Sequence, residues 1–270
     1  MLSFLIIFAG LFGLVIGSFL NALIWRLHSG ESMMDRSRCP KCHQVIAWYD
    51  NLPVVSYLLL NAKCRHCKKN IHWQYPVVEM TTAILYILSI MAFRDMLSSL
   101  NLDLLFNVLR VWFVIAVMII VFVYDLRWYI ILDKVIFVAA IVLSIFWLID
   151  NLLLRSNFNI YSFLPLLLAV ISGFGFFWLQ YVISKGKWIG GGDVKLGIVI
   201  GLALPLAGHT IAAIFLAYML GAIFGIGLIV FGKKSLGSKL PFGTFLAVSV
   251  VVISLWGDRI IGWYLKILGF

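Results

Sequence analysis

The sequence predicts an all-α, polytopic membrane protein with about eight transmembrane helices and one long polar insert. Hydrophobic residues make up 63% of the 270 residues and charged residues only 12%, whereas soluble domains have about 45–50% and about 25%. A transmembrane helix takes about 20 mostly apolar residues. Eight segments approach or exceed this length: 2–25, 76–93, 104–124, 129–149, 161–183, 193–208, 210–231 and 242–257.

The first and sixth of these segments differ from the others. Residues 2–25 contain no Lys or Arg, so they lack the basic region that begins a signal peptide, and we expect a retained helix. Residues 193–208 are short and contain Pro205, which breaks or tilts a helix.

The distribution of basic residues predicts the orientation of the chain, because cytoplasmic loops carry an excess of Lys and Arg. Sixteen of the 21 basic residues lie on one side of the predicted membrane: Arg26, Arg36, Arg38, Lys41, Lys63, Arg65, Lys68, Lys69, Arg127, Lys134, Lys185, Lys187, Lys195, Lys233, Lys234 and Lys239. The opposite side has Arg94, Arg110, Arg155, Arg259 and Lys266. We therefore expect the amino terminus outside and residues 26–75 in the cytoplasm.

The net charge of +10 has the same origin, and it also suits contact with anionic lipid headgroups. A nucleic-acid surface would need a basic stripe with interleaved aromatic residues. The sequence has no such stripe, so we expect the lipid membrane as a partner and no nucleic acid.

Residues 26–75 form the long polar insert, and they hold all four cysteines. These occur as CPKC at 39–42 and CRHC at 64–67, with 21 residues between the two pairs. Two such pairs present four thiolates tetrahedrally, which is the ligand set of structural zinc. A short segment with few aliphatic residues gains stability from a metal, and a cytoplasmic location disfavours disulfides. We predict structural Zn²⁺ bound by Cys39, Cys42, Cys64 and Cys67, with His43 and His66 beside them as solvated alternatives.

Two aspartates stand at the ends of predicted helices. Asp125 closes the third apolar segment, and Asp193 opens the sixth after the three glycines of IGGGDVKL at 189–196. The predicted topology places both on the cytoplasmic side. A carboxylate in a membrane is costly and is by default a functional candidate.

Two converging carboxylates favour acid–base chemistry. Like charges in one site do not both ionise easily, so the pair holds one proton between them. The deprotonated member then takes a proton from an attacking water while the other donates to an amide, as in aspartic proteases. The glycines before Asp193 let the backbone approach an extended peptide closely.

Other interpretations stay open from the residues alone. Asp193 also fits a simple helix cap, and Asp125 also fits an ion pair with Arg127 or Lys195. A proton- or ion-coupled transporter would use the same carboxylates as relay groups. A zinc-stabilised membrane scaffold without enzymatic activity would need neither Asp125 nor Asp193.

Five stretches, in order, carry a resemblance to a known family. They are GSFLNALIWR at 17–26, RSRCPKCHQVIAWYDNLPVVSYLLLNAKCRHCKKNIHWQYPVVE at 36–79, DLRWYIILD at 125–133, GGGDVKLG at 190–197 and LPFGTFLA at 240–247. With them the chain resembles the bifunctional bacterial type IV prepilin peptidases. These are membrane aspartyl proteases of the GxGD kind, which also serve type II secretion pseudopilins.

The resemblance implies a peptidase of the bacterial cytoplasmic (inner) membrane. It implies cleavage of a short basic leader from prepilins and pseudopilins at the cytoplasmic face, just after a glycine. The catalytic aspartates of the family correspond to Asp125 and Asp193, and its zinc cysteines to the four cysteines of the insert. The sequence departs from the family at Leu132, where the family often has proline. This departure affects the role implied for Asp133 more than the role implied for Asp125.

The resemblance also implies a second activity, methylation of the new N-terminal amine with S-adenosylmethionine as co-substrate. Shorter relatives without the cysteine insert are peptidases only, so the insert implies the bifunctional type. A nearby carboxylate would help to keep the attacking amine neutral, which makes Glu79 a candidate and, with less support, Asp50 and Asn51.

The sequence therefore predicts three regions. Residues 1–25 are a first transmembrane helix, 26–75 a cytoplasmic zinc insert associated with methyl transfer, and 76–270 a transmembrane aspartyl peptidase core. Asp133 and Lys195 are candidates for residues that position the catalytic pair or tune its charge, and Lys195 equally suits the cytoplasmic boundary.

Overall fold

A computed structural model describes residues 2–32, 35–94, 102–154, 160–232, 239–267 and 269, with the backbone alone at 153–154 and 160–162. These ranges contain helices and no β-strand, as the sequence predicts. Arg155, Lys233 and Lys234, which contribute to the predicted charge asymmetry, lie outside the described residues.

The chain forms two compact units, Met1–Ser99 and Leu100–Phe270. The first unit contains two long helices and the insert between them. Its elements are α1 (Leu2–Ser29), a 3₁₀ helix (Trp48–Asn51), α2 (Val55–Leu59) and α3 (Gln74–Ala92).

The second unit contains the remaining helices, and α4 is the most buried of its candidate spans. It consists of α4 (Leu102–Trp128), α5 (Asp133–Ile149) with a π-helical turn (Asp150–Leu154), α6 (Ile160–Ser184), α7 (Gly191–Ala203), α8 (Ala207–Val230) and α9 (Phe242–Ile267). α4 packs against α9, α8 against α9 and α6, and α7 against α5 and α6.

Seven of the described helices are long and apolar enough to span a bilayer: α1, α3, α4, α5 with its π-helical turn, α6, α8 and α9. The predicted sixth span, 193–208, is the exception. α7 has 13 residues, about 20 Å at 1.5 Å per residue, against about 30 Å of hydrocarbon. It ends at Ala203, before the turn that contains Pro205, so it is shorter than an ordinary transmembrane helix.

In the first unit, α1 packs closely on α3 through glycines. A Cβ atom added at Gly13 would lie 2.6 Å from the Cα of Ala83, and one added at Gly17 would lie 2.6 Å from the Cα of Glu79. Small residues four apart permit such approach between helices in lipid. Further along α1, Asn21 Nδ2 donates a hydrogen bond to the carbonyl of Tyr75 at 2.9 Å.

In the second unit, glycines bring α6 and α7 together. A Cβ atom added at Gly197 would lie 2.6 Å from the carbonyl oxygen of Gly173, and one added at Gly201 would lie 2.5 Å from the Cα of Val170. Backbone atoms cannot move aside as flexible side chains do. The short α7 is therefore held in place by direct contact between two helix backbones.

We expect Gly173→Ala to lower the free energy of unfolding, because its methyl group would meet the backbone of Gly197. Overpacking of this kind costs about 1–3 kcal/mol or more. Thermal unfolding in one detergent would measure the loss. Gly175→Ala is the matched control in the same helix, since nothing lies within 4 Å of its Cβ position, and it should unfold at or slightly above the wild-type temperature. Equal stability of the two variants would contradict the close packing.

Candidate functional site

Asp125 lies in the last turn of α4 and faces the start of another helix. The residue is only 6% exposed. Its Oδ2 accepts a hydrogen bond from the N–H of Thr244 at 2.9 Å, and its carboxylate also accepts one from the N–H of Gly243. Both donors belong to the first turn of α9, where unpaired N–H groups and the helix dipole stabilise an anion.

The absence of a side chain at Gly243 favours this close approach of α9 to the carboxylate. A Cβ atom at that position would lie 3.0 Å from Asp125 Oδ2 and 3.2 Å from Ile131 Cδ1. The same Ile131 side chain, through its Cβ, would be 3.0 Å from a Cβ added at Gly192. Ile131 therefore lies between the start of α9 and the start of α7.

Asp193 is the third residue of α7. Its Oδ2 accepts a hydrogen bond from the N–H of Gly190 at 3.2 Å, so one oxygen does cap the helix. The other oxygen, Oδ1, is buried and has no hydrogen-bond partner among the described residues. Helix capping therefore explains the position of Oδ2 but gives no role to Oδ1.

The two carboxylates act on each other electrostatically. They belong to the same unit, and a negative charge on Asp125 disfavours one on Asp193. The end of α4 and the beginnings of α7 and α9 bring them together, with Ile131 packed between the two beginnings. Such a pair can share one proton, and the unpartnered Asp193 Oδ1 is an atom that can hold a proton or bind a water.

Tyr218 extends the site onto α8. Its hydroxyl donates a hydrogen bond to Gln180 Oε1 at 2.8 Å, and its ring centroid lies 4.8 Å from that of Phe242. It is also within electrostatic range of Asp193. The two rings therefore join α8 to the beginning of α9, close to Asp193.

Asp133 and Lys195 pair with each other. Lys195 Nζ lies 2.8 Å from both Asp133 Oδ1 and Oδ2, and their side chains are 69% and 53% exposed. Asp133 is the first residue of α5. The ion pair thus joins the beginnings of α5 and α7, and at this exposure it contributes about 1 kcal/mol or less.

Sequence reasoning missed the groups that surround the aspartates. Gly243 and Thr244 follow Pro241 at a predicted helix start, a signal that marks a possible anion site. The sequence does not indicate which carboxylate that helix start faces. Tyr218 stands within an apolar run and has no such signal.

The four cysteines form two knuckles with matching hydrogen bonds. The N–H of Cys39 donates to the carbonyl of Gln44 at 2.9 Å, and the N–H of Cys64 donates to that of Lys69 at 2.9 Å. The residue after each pair, His43 or Lys68, has a positive φ of 56° or 57°. Each chain turn therefore directs its two thiols to the same side.

The thiols suit a tetrahedral metal ion. All four Sγ atoms lie within 4.8 Å of one another, and Cys39 and Cys67 Sγ are 4.0 Å apart. Zn–S bonds of about 2.3 Å place tetrahedral sulfurs about 3.8 Å apart. Hydrogen bonds from the backbone N–H of Cys67 and then of His66 lower the pKa of the Cys64 thiol to about 7, whereas burial and then the neighbouring thiols raise the pKa of the Cys42 thiol to about 11.

We expect purified wild-type protein to contain one zinc ion per chain and Cys39→Ser to contain little or none. A hydroxyl group is a poor replacement for a thiolate in a closed four-sulfur site. Inductively coupled plasma mass spectrometry of the purified chains would measure the content. His66→Ala is the control, since His66 is exposed and outside the thiol cluster. Zinc loss in His66→Ala would show that the ligand set is wrong.

The three methyltransferase candidates lie in the first unit and have different surroundings. Asp50 is held by Arg65 through two hydrogen bonds of 2.8 and 2.7 Å, which lower the pKa of its carboxyl group. Asn51 is exposed. Glu79 is 7% exposed, and its carboxylate accepts hydrogen bonds from the N–H of Val54 at 2.8 Å and from Ser18.

The fold and the two sites define a multi-pass helical membrane protein with a cluster of four thiols that could hold a metal ion and a pair of neighbouring aspartates. Residues 11–93 match the bacterial peptidase A24 N-terminal domain, and residues 112–226 match the type IV leader peptidase family. The chain belongs to the type IV leader peptidase family. The first match includes the four cysteines, and the second includes Asp125 and Asp193.

Curated relatives match almost the whole chain under one name, prepilin leader peptidase/N-methyltransferase. The protein of Aeromonas salmonicida is 30% identical over 95% of this chain and 92% of its own. That of Bacillus subtilis is 31% identical over 98% of each chain, and that of Pseudomonas aeruginosa is 28% identical over 96% and 93%. No solved structure gives a significant match.

Proposed function

We propose that this protein is a membrane aspartyl endopeptidase that removes the leader peptide of type IV prepilins and type II secretion pseudopilins. It then methylates the new N-terminal residue with S-adenosylmethionine. Cleavage and methylation are the activities named for relatives that match over nearly their full length. Asp125 and Asp193 form the proposed catalytic pair.

One observation carries the peptidase proposal. Asp193 Oδ1 is buried without a hydrogen-bond partner among the described residues, next to a second carboxylate that repels its charge. An unsatisfied buried polar atom is costly in a purely structural role. A shared proton, or a water held by the pair, would satisfy it and is what aspartyl catalysis requires.

The proposed cleavage step needs no covalent enzyme intermediate. The ionised carboxylate removes a proton from a water molecule, whose oxygen forms a bond to the scissile carbonyl carbon. The protonated carboxylate donates to the amide, the carbon–nitrogen bond breaks, and the new amine leaves with that proton. The N–H groups of Gly243 and Thr244 stabilise the charge on Asp125 during this exchange.

For methyl transfer, S-adenosylmethionine would supply the electrophilic methyl group. The contribution of this chain is to hold the new N-terminus and to accept the amine proton. Glu79 is the proposed acceptor, because it is a buried carboxylate in the second turn of α3. Asp50 and Asn51 stay weaker candidates, since Asp50 is already engaged by Arg65.

The proposed location is the bacterial inner membrane, with the zinc insert and the aspartates on the cytoplasmic side. The excess of Lys and Arg in the loops on one side supports it. A leader rich in basic residues would be attracted to the aspartate pair at that face, while its apolar stem lies along the spanning helices. Asp133 and Lys195, paired at the beginnings of α5 and α7, are proposed to position the pair.

The test is a processing assay on purified protein in nanodiscs. The substrate is a peptide with a basic leader, a Gly-Phe junction and an apolar stem, and mass spectrometry follows its products with and without S-adenosylmethionine. We expect leader removal in both conditions and an added methyl group only with the methyl donor. Glu79→Gln should retain cleavage and lose the methyl group. Absence of cleavage by a folded wild-type protein on several such peptides would refute the proposal.

A further inference from the structure

The insert contains an exposed apolar surface that neither site uses. Residues 48–60, WYDNLPVVSYLLL, include one charged side chain. Trp48 is 78% exposed, Leu58 67% and Leu59 76%. We name residues 48–60 the insert loop.

The position of the insert loop along the spanning helices can be read from one hydrogen bond. The N–H of Val54 donates to Glu79 Oε2 at 2.8 Å. Glu79 is five residues into α3, about 7.5 Å at 1.5 Å per residue. The same carboxylate accepts a hydrogen bond from Ser18, which lies eight residues, about 12 Å, before the first basic residue of α1, Arg26.

Val54 therefore lies beside the apolar parts of α1 and α3, and not beyond their ends. Its backbone is strained, since a β-branched residue rarely adopts its φ of 60°. Such strain persists where surrounding groups fix the conformation, and here the bond to Glu79 does so. The start of α2 is thus fixed at the depth of the spanning helices.

Several polar groups of the insert loop are paired within the insert, as a lipid environment favours. Ser56 Oγ donates to the carbonyl of Tyr49 at 2.8 Å, and the N–H of Leu58 donates to the carbonyl of Val54 at 3.1 Å. Asp50, the single charged residue, forms two hydrogen bonds with Arg65. The side chains left exposed are mostly apolar.

The residues around the loop match a membrane interface. Trp48 and Trp73 are both exposed, and tryptophan is enriched where a membrane meets water. The rest of the insert is basic, which suits anionic lipid headgroups. Its Lys and Arg residues outside the loop are Arg26, Arg36, Arg38, Lys41, Lys63, Arg65, Lys68 and Lys69.

We propose that the insert loop is a membrane-inserted anchor, with Leu58 and Leu59 in the acyl-chain region beside α1 and α3. The occupant of this apolar surface is the lipid of the same bilayer that the two helices span. The anchor holds the two cysteine knuckles against the membrane surface. This inference does not depend on the proposed catalytic function.

The test uses the full-length, zinc-loaded protein at one chain per nanodisc. A nitroxide is attached through a genetically encoded residue at Leu58 or Leu59, so the four cysteines stay untouched. Phe19 of α1, 56% exposed, is the lipid reference, and the exposed Lys69 is the aqueous reference. Collision rates with oxygen and with a water-soluble nickel chelate are measured by electron paramagnetic resonance.

We expect Leu58 and Leu59 to match Phe19, with high oxygen and low nickel accessibility. Nickel accessibility like that of Lys69 would overturn the proposal, because the loop would then lie in water. Protection from both reagents would also overturn it, because the surface would then be covered by protein. Zinc content reports folding of each labelled insert, and the two positions give independent readings.

Discussion

Replacing Asp125 with asparagine is expected to abolish leader cleavage while leaving the protein folded. The amide oxygen of asparagine can still accept the hydrogen bonds that Gly243 and Thr244 donate. An amide cannot take the proton of the attacking water, however, and loss of such a group lowers the rate by about 10²–10⁴-fold. The substitution therefore removes the proton acceptor and leaves its hydrogen bonds to α9 in place.

Asp193→Asn should reduce leader cleavage as strongly as Asp125→Asn does. Its amide oxygen can still accept the N–H of Gly190, which Asp193 Oδ2 accepts at 3.2 Å, so α7 keeps its cap. Removing one of two neighbouring negative charges relieves repulsion, and we expect the unfolding temperature to be equal to or above that of wild type. High stability with lost activity is typical of a functional carboxylate and unlike a structural one.

The measurement is kcat/KM for leader removal from a prepilin-like peptide, with thermal unfolding of each variant alongside. Asp103→Asn is the control, since Asp103 lies exposed in the first turn of the same helix as Asp125, and it should cleave normally. Asp133→Asn breaks only the exposed pair with Lys195, and its rate reports whether that pair positions the site. Normal cleavage by either Asp125→Asn or Asp193→Asn would contradict the proposed mechanism. It would favour the alternative in which the aspartates serve a proton- or ion-coupled transporter.

The cluster of four thiols and the helical class were predictable because their determinants are local. Each C-x2-C pair forms its own turn, with the same two backbone hydrogen bonds around Cys39 and around Cys64. The apolar composition of the spans is likewise a property of each segment. Only the approach of the two pairs depends on contacts between separate parts of the sequence. These contacts bring all four Sγ atoms within 4.8 Å of one another.

The surroundings of Asp125 were not predictable because they depend on contacts across 119 positions of sequence. Thr244 donates to this carboxylate from another helix, and no local pattern indicates that pairing. The length of α7 was misjudged for a different reason. Hydropathy continues through Pro205 to residue 208, but the helix ends at Ala203 because a proline removes a backbone donor.

Cys64→Ser is expected to eliminate methyl transfer and to leave leader cleavage close to wild type. Cys64 is one of the four thiols whose Sγ atoms lie within 4.8 Å of one another, so its loss should release the proposed metal. Structural zinc contributes an apparent 10–16 kcal/mol to the folding of small zinc-binding peptides, and the insert has little core to replace it. Asp125, Asp193, Gly243 and Thr244 all belong to the other compact unit, whose own helices hold them.

The ratio of unmethylated to methylated mature product, measured by mass spectrometry, separates the two activities in one reaction. His66→Ala keeps the thiols and should yield methylated product as wild type does. Chelation of zinc from the wild-type protein should reproduce Cys64→Ser without any mutation. If cleavage falls in parallel with methylation in both cases, the insert is needed for the peptidase as well. If methylation persists after zinc is gone, the metal supports neither activity, and the methyl-transfer site must be sought away from the knuckles.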